Sequence, residues 1–571
     1  MLGRSGRKAG PQERLEALRR RVEDAVAYHQ PSYDDFDRWL GYYDGSEQYN
    51  ELEAALRARK LDDLIGDITI VNYLYSTVEH YLATAMRSLP RPFVVGNDTS
   101  QDQAARLITD YLHAYARATN TDGEIERAYR SALVFGTGVL KAYWCRRRKR
   151  VVVRSVPPKL LVPDPCAARL EDCAFIAIRN EYGEDLLRAL WPTAHPEELE
   201  RSRPDARLGT EEGGGARPER YLVWEVYEDF GAKLTIFSGN QVLYEGDNPA
   251  PGGRYPLAVL RFMPREDKFF SAGLVELCYR LQTNINKLLT RIAIHLHYTA
   301  NPIIVTSSKA EFRMEPGSIV RPETPDMKVE YLRPERVPVA AFNVLGLLGQ
   351  GIDTVSGVHD VLRGANPPGV RAAVSLDILT QSAATRLQSQ IRNWSTELAA
   401  LWQLVLELTQ AYEPGDVHMP TMVEGTAGLV TVPAEMLSTV VERRRPDGSV
   451  IYREDGSVET DVEPLPYQVV MQADAELPLN AATYAQTAIQ LAQLGAIDAP
   501  TLLEALKFPG REQLLERMAA EKQAELAGQL LGMQGAAAGR VPQPAPQQAP
   551  PPPEEAEYEE AGAAGLAGGT W

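Results

Sequence analysis

The sequence predicts an α+β protein of more than one part, and three observations carry that prediction. The stretch from Arg371 to Tyr412 places apolar residues at steps of three and four (Leu376, Leu379, Ala383, Leu387, Ile391, Trp394, Leu398, Leu401, Val405, Leu408). That is a helical period, which no strand can follow. Upstream, the pattern switches from helical to alternating at Gly136-Thr137-Gly138, so helices come first and a mainly antiparallel sheet after them. The chain also has 571 residues, more than a single hydrophobic core ordinarily serves.

Taken in order, residues 11–30 read as a charged helix. A helix over about 62–88 carries Ile68, Ile70, Val71, Leu74, Val78, Tyr81, Leu82 and Met86, and ends at Leu89-Pro90-Arg91-Pro92. Helices are expected near 101–117 and 121–135. Lys141–Trp144 and Val151–Val156 read as paired strands with Cys145–Arg150 at the tip. The run Arg146-Arg147-Arg148-Lys149-Arg150 is a candidate nucleic-acid patch, but it reads as a solvated hairpin end, because five adjacent like charges repel and seek water. Strands follow at 173–181, 220–228, 233–238, 241–245 and 255–263, with a Gly-rich loop at 208–218.

Phe269–Ala300 is then helical, and Asn301-Pro302 ends it. Short proline-broken strands fill 303–333. A helix over about 338–358 contains Gly346, Gly349, Gly351 and Gly357, each costing it roughly 1 kcal/mol against Ala. The loop from Arg363 to Arg371 leads into the long helix, which spans roughly 60 Å at full length. Its remaining faces, bearing Gln381, Arg386, Gln388, Gln390, Arg392 and Glu397, are expected to be wet, and Glu413-Pro414-Gly415 stops it. Strands return over 417–475 with turns at Pro446–Ser449 and Glu454–Ser457. Residues 480–530 are helical. From about 534 the Gly, Ala, Pro, Gln and Glu composition cannot bury a core, which predicts disorder.

A net charge of −17 argues against coating nucleic acid by bulk electrostatics, although DNA could slide past such a surface without sticking. The four cysteines (Cys145, Cys166, Cys173, Cys278) form no CxxC pair, which suits a reducing setting. The first ten residues lack the apolar core of a signal peptide, and no apolar run is expected to reach the ~18 residues of a membrane span, so a soluble, cytosolic product is expected. No phosphate-binding loop, HExxH, GxSxG or EF-hand pattern is present, and Gly136-Thr-Gly138 opens a strand rather than the helix of a dinucleotide site. His295 and His297 lie two apart on a helix and do not face one another. No catalytic residue, metal site or cofactor is expected.

The order of elements, with several short motifs, resembles the bacteriophage portal protein family. The motifs are the Asn72-Tyr73 helix start, Val139-Leu-Lys-Ala-Tyr-Trp144, Val156-Pro157-Pro158, Val162-Pro-Asp164-Pro165, Phe270-Ser-Ala-Gly273 and Leu281-Gln282-Thr-Asn284-Ile-Asn286. The resemblance covers most of 60–530. It implies a portal-type fold: an N-terminal helical extension (1–60), a wing (61–265), a stem helix (266–301), a β-rich clip (302–336), a second stem helix (337–359), a tunnel loop (360–372), a long wing helix (373–413), returning wing strands (414–478), a helical crown (479–533) and a tail (534–571).

The same resemblance implies a homo-oligomeric ring of about twelve subunits, carrying roughly −200 in formal charge. Double-stranded DNA would pass through it, and its partners would be the terminase large subunit, capsid or scaffold, and head-completion or tail proteins, with no membrane. Its place would be the portal vertex of the virion, after assembly in the host cytoplasm. Leu277, Leu281, Leu288 and Ile292 become candidates for the stem subunit interface. Arg363, Gly364, Asn366, Pro367, Pro368, Gly369 and Arg371 become candidates for the loop facing DNA. The competing reading is an enzyme with a polymer-hydrolysing site in the 137–263 sheet region.

Overall fold

The computed structural model describes residues 10–87, 89–195, 197–202, 220–300, 303–306, 329–332, 335–358, 373–413, 415–423, 426–443 and 460–472, together with Ile489, Ala492 and Leu502. The chain divides into two compact units, Met1–Ala481 and Ala482–Trp571. The second contains only those last three described residues, each helical. The expected tunnel loop, the two turns at 446–449 and 454–457, most of the helices at 480–530 and the tail lie outside the described residues.

Within the first unit, Pro11–Asp44 forms α1 and Ser46–Arg57 forms α2. Pro11 sits in the first turn, where its missing N–H costs nothing, and Glu13 accepts from the Gly10 amide. Gly45, at φ 92°, ends the helix in a conformation that glycine adopts freely. α1 is longer than expected, and its charge hides a buried seam. Leu18, Val22 and Ala25 pack on Val162, Phe175, Ala177, Val226 and Phe237. Farther along, His29, Tyr33 and Phe36 surround Phe270 with ring centroids 5.1–6.0 Å apart.

Tyr73–Arg87 forms α3, so the helix expected over 62–88 is corrected. Asp62–Asp67 is a 3-10 turn and residues 68–72 are not helical, because side chains from 282–290 claim their backbone groups. Where a break was expected, Arg91–Gly96 forms β1. Asp102–Thr119 (α4) and Thr121–Phe135 (α5) follow as read.

Two antiparallel sheets come next. Thr137–Cys145 (β2), Arg150–Val156 (β3), Leu161–Pro163 (β4), Ile176–Gly183 (β5), the short helix Glu184–Leu190 (α6), Arg220–Glu228 (β6), Lys233–Ser238 (β7), Gln241–Asp247 (β8) and Leu257–Arg261 (β9) give the orders β3-β2-β9 and β4-β5-β6-β7-β8. Leu274–Ala300 (α7) leads to the hairpin Ile303–Thr306 (β10) with Val329–Leu332 (β11), then to Val339–Ser356 (α8) and Ala373–Tyr412 (α9). Val417–Val423 (β12) pairs with Thr426–Val432 (β13). Ala434–Leu437 (α10) precedes Ser438–Glu442 (β14), which pairs with Thr460–Pro464 (β15). Tyr467–Gln472 (β16) closes the unit by pairing with β1, from Arg91↔Gln472 to Gly96↔Tyr467.

The core gathers on α9, where Ile391, Trp394, Leu398, Leu401, Val405 and Leu408 are all buried, as their spacing predicts. The Trp394 indole lies 4.4 Å from the Tyr129 ring and donates to the Arg261 carbonyl at 2.9 Å. The expectation of a uniformly wet opposite side needs correction. Trp402, Leu404 and Leu406 are buried too, so this half of the helix is covered on more than one face. Gln403 accepts from the Val469 amide and donates to the Tyr467 carbonyl. Glu397 is largely enclosed near Glu171, and burial pushes its carboxyl pKa upward.

Candidate functional site

The elements on which the expected stem and clip residues fall are the antiparallel pair α7 and α8 and the hairpin β10–β11 between them, while the expected loop at 360–372 lies outside the described residues. α7 has two unlike faces. On one, Gln282, Asn286 and Thr290 recur every fourth residue and are buried. Gln282 Oε1 accepts from the Tyr73 amide (3.0 Å) and its Nε2 donates to the Val71 carbonyl (2.7 Å). Asn286 Oδ1 accepts from the Val71 amide and Nδ2 donates to Gln48 Oε1. Thr290 Oγ1 accepts from the Thr69 amide. Side chains thus replace the helix or ladder partners that residues 69–73 lack, the condition for burying such backbone. At the outer end His297 meets Asp67 at 3.1 Å.

The motifs of the sequence reading turn out to be structural devices. Asn72 caps α3 by accepting from the Tyr75 amide and donates to the Tyr43 carbonyl. Asp164 accepts from the Cys166 and Ala174 amides, which fixes the loop after β4. Phe270-Ser-Ala-Gly273 meets Gly136-Thr-Gly138 backbone to backbone, so that a Cβ on Gly136 would lie 2.0 Å from the Ser271 carbonyl oxygen. Gly136 also takes φ 86° at the end of α5. Those glycines allow close approach and leave no phosphate cradle.

On its other face α7 presents Leu277, Leu281, Leu288 and Ile292, all half-buried. Leu277 and Leu281 pack in part against the main core, and Leu281 Cδ1 lies 3.4 Å from where a Cβ on Gly351 of α8 would be. α8 itself buries Ile352 and Ser356 but leaves Val339, Phe342 and Leu347 at 75%, 53% and 65% exposure. With α7's Leu296 at 57%, these form an apolar surface left exposed among the described residues. α8 also corrects the expectation that no segment reaches membrane length. It has 18 residues with Asp353 as the one charge, long and apolar enough by length and composition alone. Its many Gly and Ala residues keep it from reading as a bulky apolar run.

In the 137–263 region, Lys141, Tyr227 and Asn180 converge on Glu225 where β2 meets β5 and β6. Burial opposes the charge of Glu225, but the Lys141 ammonium and the two donors hold its carboxyl below the usual range. The cluster ties two sheets together. A cavity of about 280 Å³ lies between α1 and the strands β6 to β8, lined by Arg14, Arg21, Glu228 and Glu245 among others, and in its wall the Thr235 hydroxyl donates to the Glu228 carboxylate at 3.3 Å. Among the described residues no cluster of metal-binding side chains occurs.

The chain matches the sequence profile of the phage P22-like portal protein over residues 19–233 and 232–567. It belongs to the phage P22-like portal protein family. Among individual curated proteins none matches it. It is therefore a portal protein of a bacteriophage, a structural part of the head–tail connector at the capsid vertex, acting in genome packaging. Membership carries a homo-oligomeric ring and general contact with DNA, terminase and capsid, and nothing favours the polymer-hydrolysing alternative.

Proposed function

We propose that copies of this chain stand side by side with α7 and α8 as the channel wall, α8's apolar face covered by the neighbouring copy. The observation that carries this reading is the exposure of Val339, Phe342 and Leu347 on a helix with only one charge. Burying such side chains contributes about 1.5–3 kcal/mol each. On this reading the half-exposed flanks of Leu277, Leu281, Leu288 and Ile292 complete the subunit contact, and β10–β11 belongs to a clip that meets the terminase. The partition into wing, stem, clip, tunnel loop and crown follows the boundaries given above, and twelve copies complete the ring. Arg363 and Arg371, flanking Gly364, Asn366, Pro367, Pro368 and Gly369, give a stiffened loop with two cations for weak, transient phosphate contacts in an otherwise acidic bore.

Replacing Phe342 and Leu347 together by Glu tests the wall. Sedimentation is expected to show single chains with an unchanged melting temperature, and rings persisting in the double variant would reject the assignment. Deleting 364–370 is expected to leave rings intact and impair DNA packaging or retention; normal packaging would reject the loop assignment.

A further inference from the structure

One feature of the chain is not used by a channel wall, namely the cationic turn between β2 and β3. Arg146, Arg147, Arg148 and Lys149 are all exposed at its tip, and Arg150 pairs with Cys145 at its base. None of the five makes an ion pair among the described residues, whereas Lys141 on the same hairpin is paired with Glu225. The turn is firmly mounted. Trp144 stacks on Tyr412 with ring centroids 5.5 Å apart and planes 12° apart, and the Tyr115 hydroxyl donates to the Val151 carbonyl at 2.9 Å. Exposed Arg154 adds a sixth cation on β3. A chain of net charge −17 thus concentrates unneutralised positive charge at one rigid projection.

It sits beside the last turn of α9. Tyr412 is the last of that helix's 40 residues and Ala373 the first, a separation of ~60 Å along the axis. The turn therefore sits at the opposite end of α9 from Ala373. The tip offers only Arg and Lys, with Trp144 already occupied by Tyr412, so it presents charge without a free aromatic anchor. Phosphates need only the charge.

We propose that the β2–β3 turn is a second DNA contact, which holds the phosphate backbone of duplex DNA lying outside the channel. The inference rests on portal function only for the presence of DNA, and the test separates the two. The probe is a covalently closed duplex circle, which has no end and cannot thread a ring.

Wild-type protein is expected to bind the circle, with affinity falling about 150-fold between 50 and 200 mM salt, the dependence of four phosphate contacts. Replacing Arg146, Arg147, Arg148 and Lys149 together by Gln should remove that binding and its salt dependence while sedimentation shows unchanged rings. The Phe342→Glu/Leu347→Glu variant should still bind the circle through the turn, so a failure of the ring reading leaves this measurement intact. Wild-type protein that ignores the circle at 50 mM salt, or a Gln variant that binds it with the same slope, would overturn the proposal. Unchanged circle binding with lost incorporation into capsid shells would also overturn it, by assigning the turn to a protein partner.

Discussion

The inner face of α7 buries Gln282, Asn286 and Thr290, while α8 leaves Val339, Phe342 and Leu347 in water. Both invert the usual rule, and for different reasons. The buried polar groups each hold a backbone group of residues 69–73 or Gln48, so removing a partner strands the other. The exposed apolar groups have no covering partner among the described residues, and on the proposed reading a neighbouring copy covers them. The contrast teaches that polarity alone does not separate inside from outside here; what counts is whether a partner lies in the same chain.

Three measurements can break or sharpen that contrast. The largest effect is expected on the buried side. Asn286→Leu leaves the Val71 amide and Gln48 Oε1 without partners and should destabilise the single chain by about 2–4 kcal/mol, read from the urea midpoint. An unchanged midpoint would show that water replaces the ladder. Next is Gly346→Ala on α8, where a Cβ meets open space in the single chain. Helix propensity predicts a gain of about 0.5–1 kcal/mol for the dissociated protein, measured by thermal unfolding. Loss of ring assembly in that variant would show that a neighbour's backbone seats there.

The smallest effect concerns pH. His29 and His113 are half or more enclosed, burial lowers both pKa values, and each ring nitrogen meets a backbone carbonyl, of Pro163 and Pro92 respectively. A base with a lowered folded pKa binds its proton more readily when unfolded. Stability is therefore complete above about pH 6.5 and declines as pH falls below it. His29→Gln should flatten that decline in melting temperature between about pH 7 and 5, and an unaltered slope would assign the dependence to other groups.

The long helix, α7 and most strands were legible because each buries a stripe whose period survives in local sequence, and α8 was legible from its helical spacing alone. The α9 stripe from Ile391 to Leu408 is the clearest case. The motif Gln282-Thr-Asn284-Ile-Asn286 was legible as a resemblance but not as a mechanism, since Asn284 is exposed while its neighbours at four-residue spacing are locked to residues 69–73. β1 was missed because its partner, β16, lies at the other end of the unit, and Pro90 and Pro92 read as a break.

By itself, then, the chain determined its helices, its sheet region and its acidic balance, all set by near neighbours through backbone periodicity and side-chain charge. Only the tertiary structure decided that residues 68–72 abandon the helix, that Glu397 and Gln403 turn inward, and that α8 stays bare. Those outcomes depend on which groups meet across hundreds of residues, where a hydrogen bond from a distant side chain outweighs the fractions of a kcal/mol per residue that local propensity supplies.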